Sequence, residues 1–215
     1  MTQSANTTRV RLSAAALVMA GILFVLYPAI RPFSDERSLQ GAAAFASTEW
    51  PVAHLLATFA FTLLPLGLLG LQNSMQHTAA ERRGYWAVVL SWIGVGLTLP
   101  YYGGEAYGLH VIGQEALRQQ SAVLLSLVDV MRSGARVVLF FVGFLLLGIA
   151  AVLAAIAIWR SGSYSKWSGI PLAVGVGLYI PQFFWTQPFR VAHGVLVDIG
   201  CMWIAVGLWR QNKPE

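Results

Sequence analysis

Charge is what this chain has least of: Asp, Glu, Lys and Arg together make up 11% of its 215 residues. A soluble domain carries roughly a quarter charged residues, so an ordinary water-facing surface is excluded. Cysteine is almost missing. Cys201 is the single one, which rules out an intrachain disulfide and any CxxC metal or redox motif and leaves it as small apolar filler. No polar or Pro/Ser-rich linker interrupts the sequence, so it reads as a single domain over residues 1–215. The signatures G-x-S-x-G, Walker A and G-x-G-x-x-G are absent too, and with them the commonest marks of hydrolases and nucleotide-binding enzymes. Basic residues exceed acidic ones, fourteen to nine, and the pI is 9.7. The bases are dispersed rather than clustered, so they speak for the positive-inside bias of a membrane protein and not for nucleic acid.

What is abundant is apolar length. Hydrophobic residues make 57% of the chain, and the mean hydropathy is +0.64. About twenty mostly apolar residues cross a bilayer as a helix. Six stretches qualify: Leu12–Ile30, Pro51–Leu71, Tyr85–Gly103, Val137–Trp159, Trp167–Trp185 and Val191–Trp209. Their runs are continuous rather than alternating, which excludes a β-barrel. The expected fold is therefore an all-α integral membrane protein. Arg9 and Arg11 before the first stretch raise a cleavable signal; the Ala44-Phe45-Ala46 pattern lies too far beyond the apolar run, and the stretch is kept as a helix.

Six spans put both termini on one side. Arg9, Arg11, Arg82, Arg83, Arg160, Lys166, Arg210 and Lys213 flank one set of helix ends; Arg31, Arg37, Arg118, Arg132, Arg136 and Arg190 flank the other. The richer set is expected in the cytoplasm, and Asp35, Glu36, Glu49, Glu105, Glu115 and Asp129 all fall on the opposite side. A bacterial inner-membrane protein with both termini inside is the resulting expectation. Between Glu115 and Arg132, Leu117, Leu124, Val128 and Met131 recur at helical spacing, which predicts an amphipathic helix lying on the outer surface.

The spans also resemble one another. Gly94-Val-Gly-Leu-Thr-Leu-Pro100 matches Gly175-Val-Gly-Leu-Tyr-Ile-Pro181, and Val52-Ala-His54 matches Val191-Ala-His193, each histidine standing eighteen residues before a Gln-Asn pair. Three tandem helical hairpins follow as the expected arrangement. It is a parallel repeat, without the inverted symmetry of many transporters.

Polar groups within such helices are costly and mark function by default. Asp198 stands near the middle of the last span with no Lys or Arg in any span to neutralise it. It must find a histidine, hydroxyl, backbone or water partner, or keep its proton. His54, His193, Glu105, His110, Tyr101, Tyr107, Gln182, Trp185 and Arg190 gather toward the outer ends, which predicts an outward-facing polar pocket for a small or lipid-like ligand. Asp198 and Glu105 are the candidate acid–base residues of an alternative, a membrane enzyme acting on a lipid or isoprenoid. A transporter or accessory subunit is a further alternative. Three histidines and a glutamate can bind zinc, and His54 with His193 can ligate haem. No HxxxH or HExxH spacing fixes a zinc set, and haem sites usually pair histidines across a four-helix core whereas these two lie at the same depth, so no cofactor is assigned. His77 reads as solvated.

From Val137 to Pro181, the run Ile-Trp-Arg160-Ser-Gly followed by Tyr-Ser-Lys-Trp-Ser-Gly-Ile-Pro171-Leu-Ala-Val-Gly, with Glu105-Ala-Tyr107 after the third span, resembles a group of small bacterial multi-pass proteins of unknown function. The resemblance implies about six helices and supplies no catalytic residues.

Overall fold

A computed structural model describes residues 2–211, with side chains from Thr7 onward. Asn212 and Lys213, used above, lie outside the described residues. All regular elements among the described residues are helical: α1 (Thr2–Ile30), α2 (Leu39–Ala46), α3 (Glu49–Ser74), α4 (Glu81–Gly103), α5 (Leu109–Arg118), α6 (Ser126–Met131), α7 (Ala135–Ser161), α8 (Ile170–Gly177) and α9 (Gln187–Gln211). Five helical stretches are long and apolar enough to cross a membrane: Thr7–Ile30, Glu49–Ser74, Glu81–Arg118, Ala135–Ser161 and Gln187–Gln211.

The fifth expected span, Trp167–Trp185, is not a continuous helix. Its α-helical part stops at Gly177, and a 3₁₀ turn follows over Pro181–Phe184. Pro181 has no N–H to offer the Gly177 carbonyl, and its ring crowds that carbonyl four residues back, where the α-helix stops. The segment nonetheless runs antiparallel along the whole of α9. Tyr164 lies beside Gly207, Leu172 beside Gly200, and Gly175 beside Val197.

The third span overruns its expected end. α4 continues through Pro100 and a π turn at Gly104–Gly108 into α5, giving 38 residues of unbroken helical chain. Pro100 removes one ladder bond, and the wider turn just beyond it accommodates the shifted register. The amphipathic helix expected over 115–132 is broken in turn. Its first part is the tail of α5, which ends in a Schellman cap: Ser121 N–H bonds Ala116 O at 3.0 Å, Gln120 N–H bonds Leu117 O at 3.1 Å, and Gln120 sits at φ +50°. A 3₁₀ turn (Ala122–Leu125) and α6 follow. Leu117, Leu124, Val128 and Met131 still share one apolar side, but they turn it inward. There they meet Phe45 of α2 and Trp50 of α3, so the connections over residues 31–50 and 104–136 fold together into a cap with its own small core.

Beneath the cap, α1 packs against α3 and α9, and α4 against α7. Small residues set these approaches. Gly94 and Gly143 face each other so closely that a Cβ on Gly94 would stand 2.7 Å from the Gly143 carbonyl oxygen. Under the cap end lies an aromatic layer. Phe144 stacks on Tyr179 with centroids 4.6 Å apart, Phe61 meets Tyr102 at 5.4 Å, and Phe24 meets Phe61 at 5.0 Å.

Candidate functional site

The π turn after Pro100 aims Glu105 back into the bundle, where it is 7% exposed. Trp50 at the start of α3 fixes this turn by donating Nε1–H to the Glu105 carbonyl at 2.7 Å. One helical turn on, His54 bonds the Trp50 carbonyl through Nδ1 at 2.8 Å. A carbonyl only accepts, so Nδ1 carries a hydrogen, and the neutral ring presents Nε2 as an acceptor. Nε2 lies 3.9 Å from Glu105 Oε2, beyond hydrogen-bond reach.

Glu105 is held instead by Arg132, whose Nε and Nη2 reach its two oxygens at 2.6 and 2.8 Å. This is the bidentate fork that guanidinium and carboxylate geometry favours. Arg132 also donates to Glu36 Oε2, and Arg31 donates to Glu36 Oε1 at 2.7 Å. A chain of four alternating charges thus ties the end of α1, the loop after it, the π turn and the residue after α6. Burial opposes the ionised form of Glu36, but Arg132 and Arg31 outweigh it and hold the carboxyl below its ordinary range. Burial likewise works against the Arg132 cation, and Glu105 and Glu36 more than reverse that effect.

These groups wall a cavity of about 280 Å³. Tyr27, Tyr101 and Tyr102 add hydroxyls, and Arg190 enters from α9. Val137, Phe140, Phe141 and Phe183 supply an apolar wall. Arg31 lies 4.4 Å above the Trp50 ring and 4.7 Å from Phe33, and Arg190 lies 4.9 Å from the same Phe33. Arg190 donates to the carbonyls of Trp185 and Phe183. Among the described residues it has no carboxylate partner.

Of the residues singled out from the sequence, His54, Glu105, Tyr101 and Arg190 are thus brought together. The others are not. His110 bonds the Phe45 carbonyl at 2.8 Å and Gln114 at 3.0 Å, pinning α5 to α2 in the cap. Tyr107 is exposed. His193 donates Nε2–H to the Gly175 carbonyl at 2.7 Å and packs edge-on against Tyr179 and Trp185. Gln182 is buried beside it. His54 packs instead against Tyr27 and Trp50, so the two histidines have different surroundings. No three ligating groups converge among the described residues, so the histidines and Glu105 do not form the set that a zinc reading needs. His77 is exposed, at φ 63°.

Asp198 lies elsewhere. It borders a second cavity of about 680 Å³ with Tyr164, Ser168, Trp203 and Arg210, toward the opposite end of the bundle from Glu105. Its Oδ1 is buried without a hydrogen-bond partner, and a Cβ at Gly21 of α1 would collide with that oxygen. The two candidate acids therefore do not share one site.

Arg31, Glu36, Arg132, Tyr27 and Tyr102 belong to the cavity without having been selected from the sequence. Arg31, Glu36 and Arg132 carried one available signal, their place among the charges counted at the outer ends. Comparisons with protein-family models, with curated proteins and with solved structures return no match to this chain.

Proposed function

We propose that this chain is an integral protein of a bacterial cytoplasmic membrane, with both termini inside, whose outward pocket binds a small or lipid-like ligand. The observation that carries this reading is the cavity itself. Paired charges gather at one end of the bundle, and an apolar wall stands beside them. The outward surface of the helices supports the membrane setting: Leu145 is 62% and Phe59 58% exposed, a pattern that water tolerates only in small patches. The polar side of the cavity suits a headgroup, and the apolar side, with Phe141 exposed at its edge, suits a tail arriving from the bilayer.

Two measurements test this. In intact cells of a Cys201→Ala background, an impermeant maleimide should label a cysteine at Ser34 and not one at Ser163; the reverse pattern refutes the orientation. In purified protein in maltoside micelles, a dansylated dodecyl alcohol should bind saturably and be displaced by monolaurin. Val137→Trp, which fills the apolar side, should abolish the signal. Undiminished binding in that variant refutes the pocket.

A further inference from the structure

The charges around the pocket do not balance, and the imbalance specifies a ligand. Arg31, Arg132 and Arg190 line the cavity, against the carboxylates of Glu36 and Glu105 alone. Arg190 is the unmatched one; its bonds go to two backbone carbonyls. A guanidinium held at a cavity wall without a counter-charge favours an anion there. The two carboxylates also differ in kind. Glu105 lies on the helical turn, 9% exposed in its side chain, and takes both prongs of Arg132. Glu36 lies on the loop after α1, 27% exposed, and accepts one bond from Arg31 and one from Arg132. Glu36 thus occupies the position where an incoming oxyanion would meet the same two donors.

Granted the ligand pocket of the preceding reading, we infer that its ligand is an amphiphile with a phosphate-type head, which displaces Glu36 from Arg31 and Arg132 and takes Arg190 as its third donor, with Phe140, Phe141 and Phe183 against its tail. A single planar carboxylate is satisfied by one guanidinium fork. Three guanidiniums arriving from separate elements suit a tetrahedral head with several oxygens. Displacing Glu36 also removes an internal competitor, so the competitor's loss should strengthen binding.

The test is titration of the purified full-length protein in maltoside micelles with dodecyl phosphate, with its neutral counterpart monolaurin, and with inorganic phosphate. Dodecyl phosphate is expected to bind at least about tenfold more tightly than either, the value of one charge-assisted hydrogen bond. Arg190→Gln should weaken it by about tenfold and weaken monolaurin by clearly less. Arg190→Lys should restore part of the loss, and Glu36→Gln should tighten dodecyl phosphate alone. Thermal melts of each variant establish that it is folded, and Glu36→Gln answers the question if Arg190→Gln is not. Equal affinity for monolaurin and dodecyl phosphate, lost together in Val137→Trp, overturns the anionic head while the pocket survives. Inorganic phosphate binding as tightly as dodecyl phosphate overturns the tail and assigns the site to a free phosphate. Binding of none of the three overturns this inference, and only loss of the dansyl probe's binding as well would remove the pocket reading beneath it.

Discussion

Glu105→Gln probes the charge chain with almost no change in shape. In the wild type, Arg132 makes two bonds to Glu105, at 2.6 and 2.8 Å. The amide keeps one acceptor but removes the charge and turns a donor toward the guanidinium. Breaking a fully buried ion pair by removing one partner costs about 3–5 kcal/mol. Here Arg132 keeps Glu36 and is 28% exposed, so a cost of about 2 kcal/mol is the better figure. For a chain of this size that shifts Tm by about 4–8 °C. The protein carries its own reporter, because Cys201 is its single thiol and is fully buried. A thiol-reactive fluorophore therefore follows unfolding with no engineered label. The double variant Glu105→Gln/Arg132→Met should lose less than the sum of the two singles, since it removes the cation together with its buried partner while Glu36 keeps Arg31. A single variant melting within about 1 °C of the wild type would refute the reasoning. So would a double variant whose loss equals the sum of the two singles, because the pair would then be uncoupled.

Glu36 makes a pH prediction. Its carboxyl is held below its ordinary value of 4.5, so its contribution is fully present above that value and is lost as pH falls through the depressed folded-state value. The Tm gap between wild type and Glu36→Gln should be constant near neutrality and close on acidification below 4.5; a gap that widens in acid contradicts the assignment. A second pair of variants, both on α7, tests helix approach. Gly143→Ala drives a methyl into Thr98 and the Gly94 carbonyl, whereas at Gly148 a Cβ meets nothing within 4 Å. The first should cost about 1–3 kcal/mol by overpacking, and the second should be neutral or stabilising by up to about 1 kcal/mol through helix propensity. Thiol-reporter melts that rank them the other way would overturn the α4–α7 packing.

The helices were legible because the property that specifies them, apolar length, is local. The places where that reading failed are those where backbone chemistry overrides hydropathy. Trp167–Trp185 is apolar enough to span, but Pro181 interrupts its ladder, and a 3₁₀ turn takes over. Tyr85–Gly103 was expected to stop at Gly103, yet the π turn lets the helix run on to Arg118. The spacing of Leu117, Leu124, Val128 and Met131 correctly marked one apolar side. It could not say that this side would be used against Phe45 and Trp50, because a partner's identity is not contained in a period.

The cavity was half legible for a related reason. Membrane physics singles out ionisable groups inside spans, and that rule selected His54 and, most strongly, Asp198, which the structure leaves without a partner for Oδ1. The rule is blind to charges in connections, which are inexpensive wherever water reaches them. Arg31, Glu36 and Arg132 were therefore counted only as markers of sidedness, although Arg132 and Glu36 lie 96 residues apart and bond directly. Once the cap folds, these loop charges are partly withdrawn from water, with Glu36 27% and Arg132 28% exposed, and pairing offsets the cost. Three of the five arginines and glutamates at the cavity are cations, and the one left over, Arg190, is what turns a structural ion chain into a site with a preference of its own. A polar chain serving the cap alone would need no third cation; the presence of Arg190 at the same wall is the reason to look for an anion rather than to stop at a salt bridge.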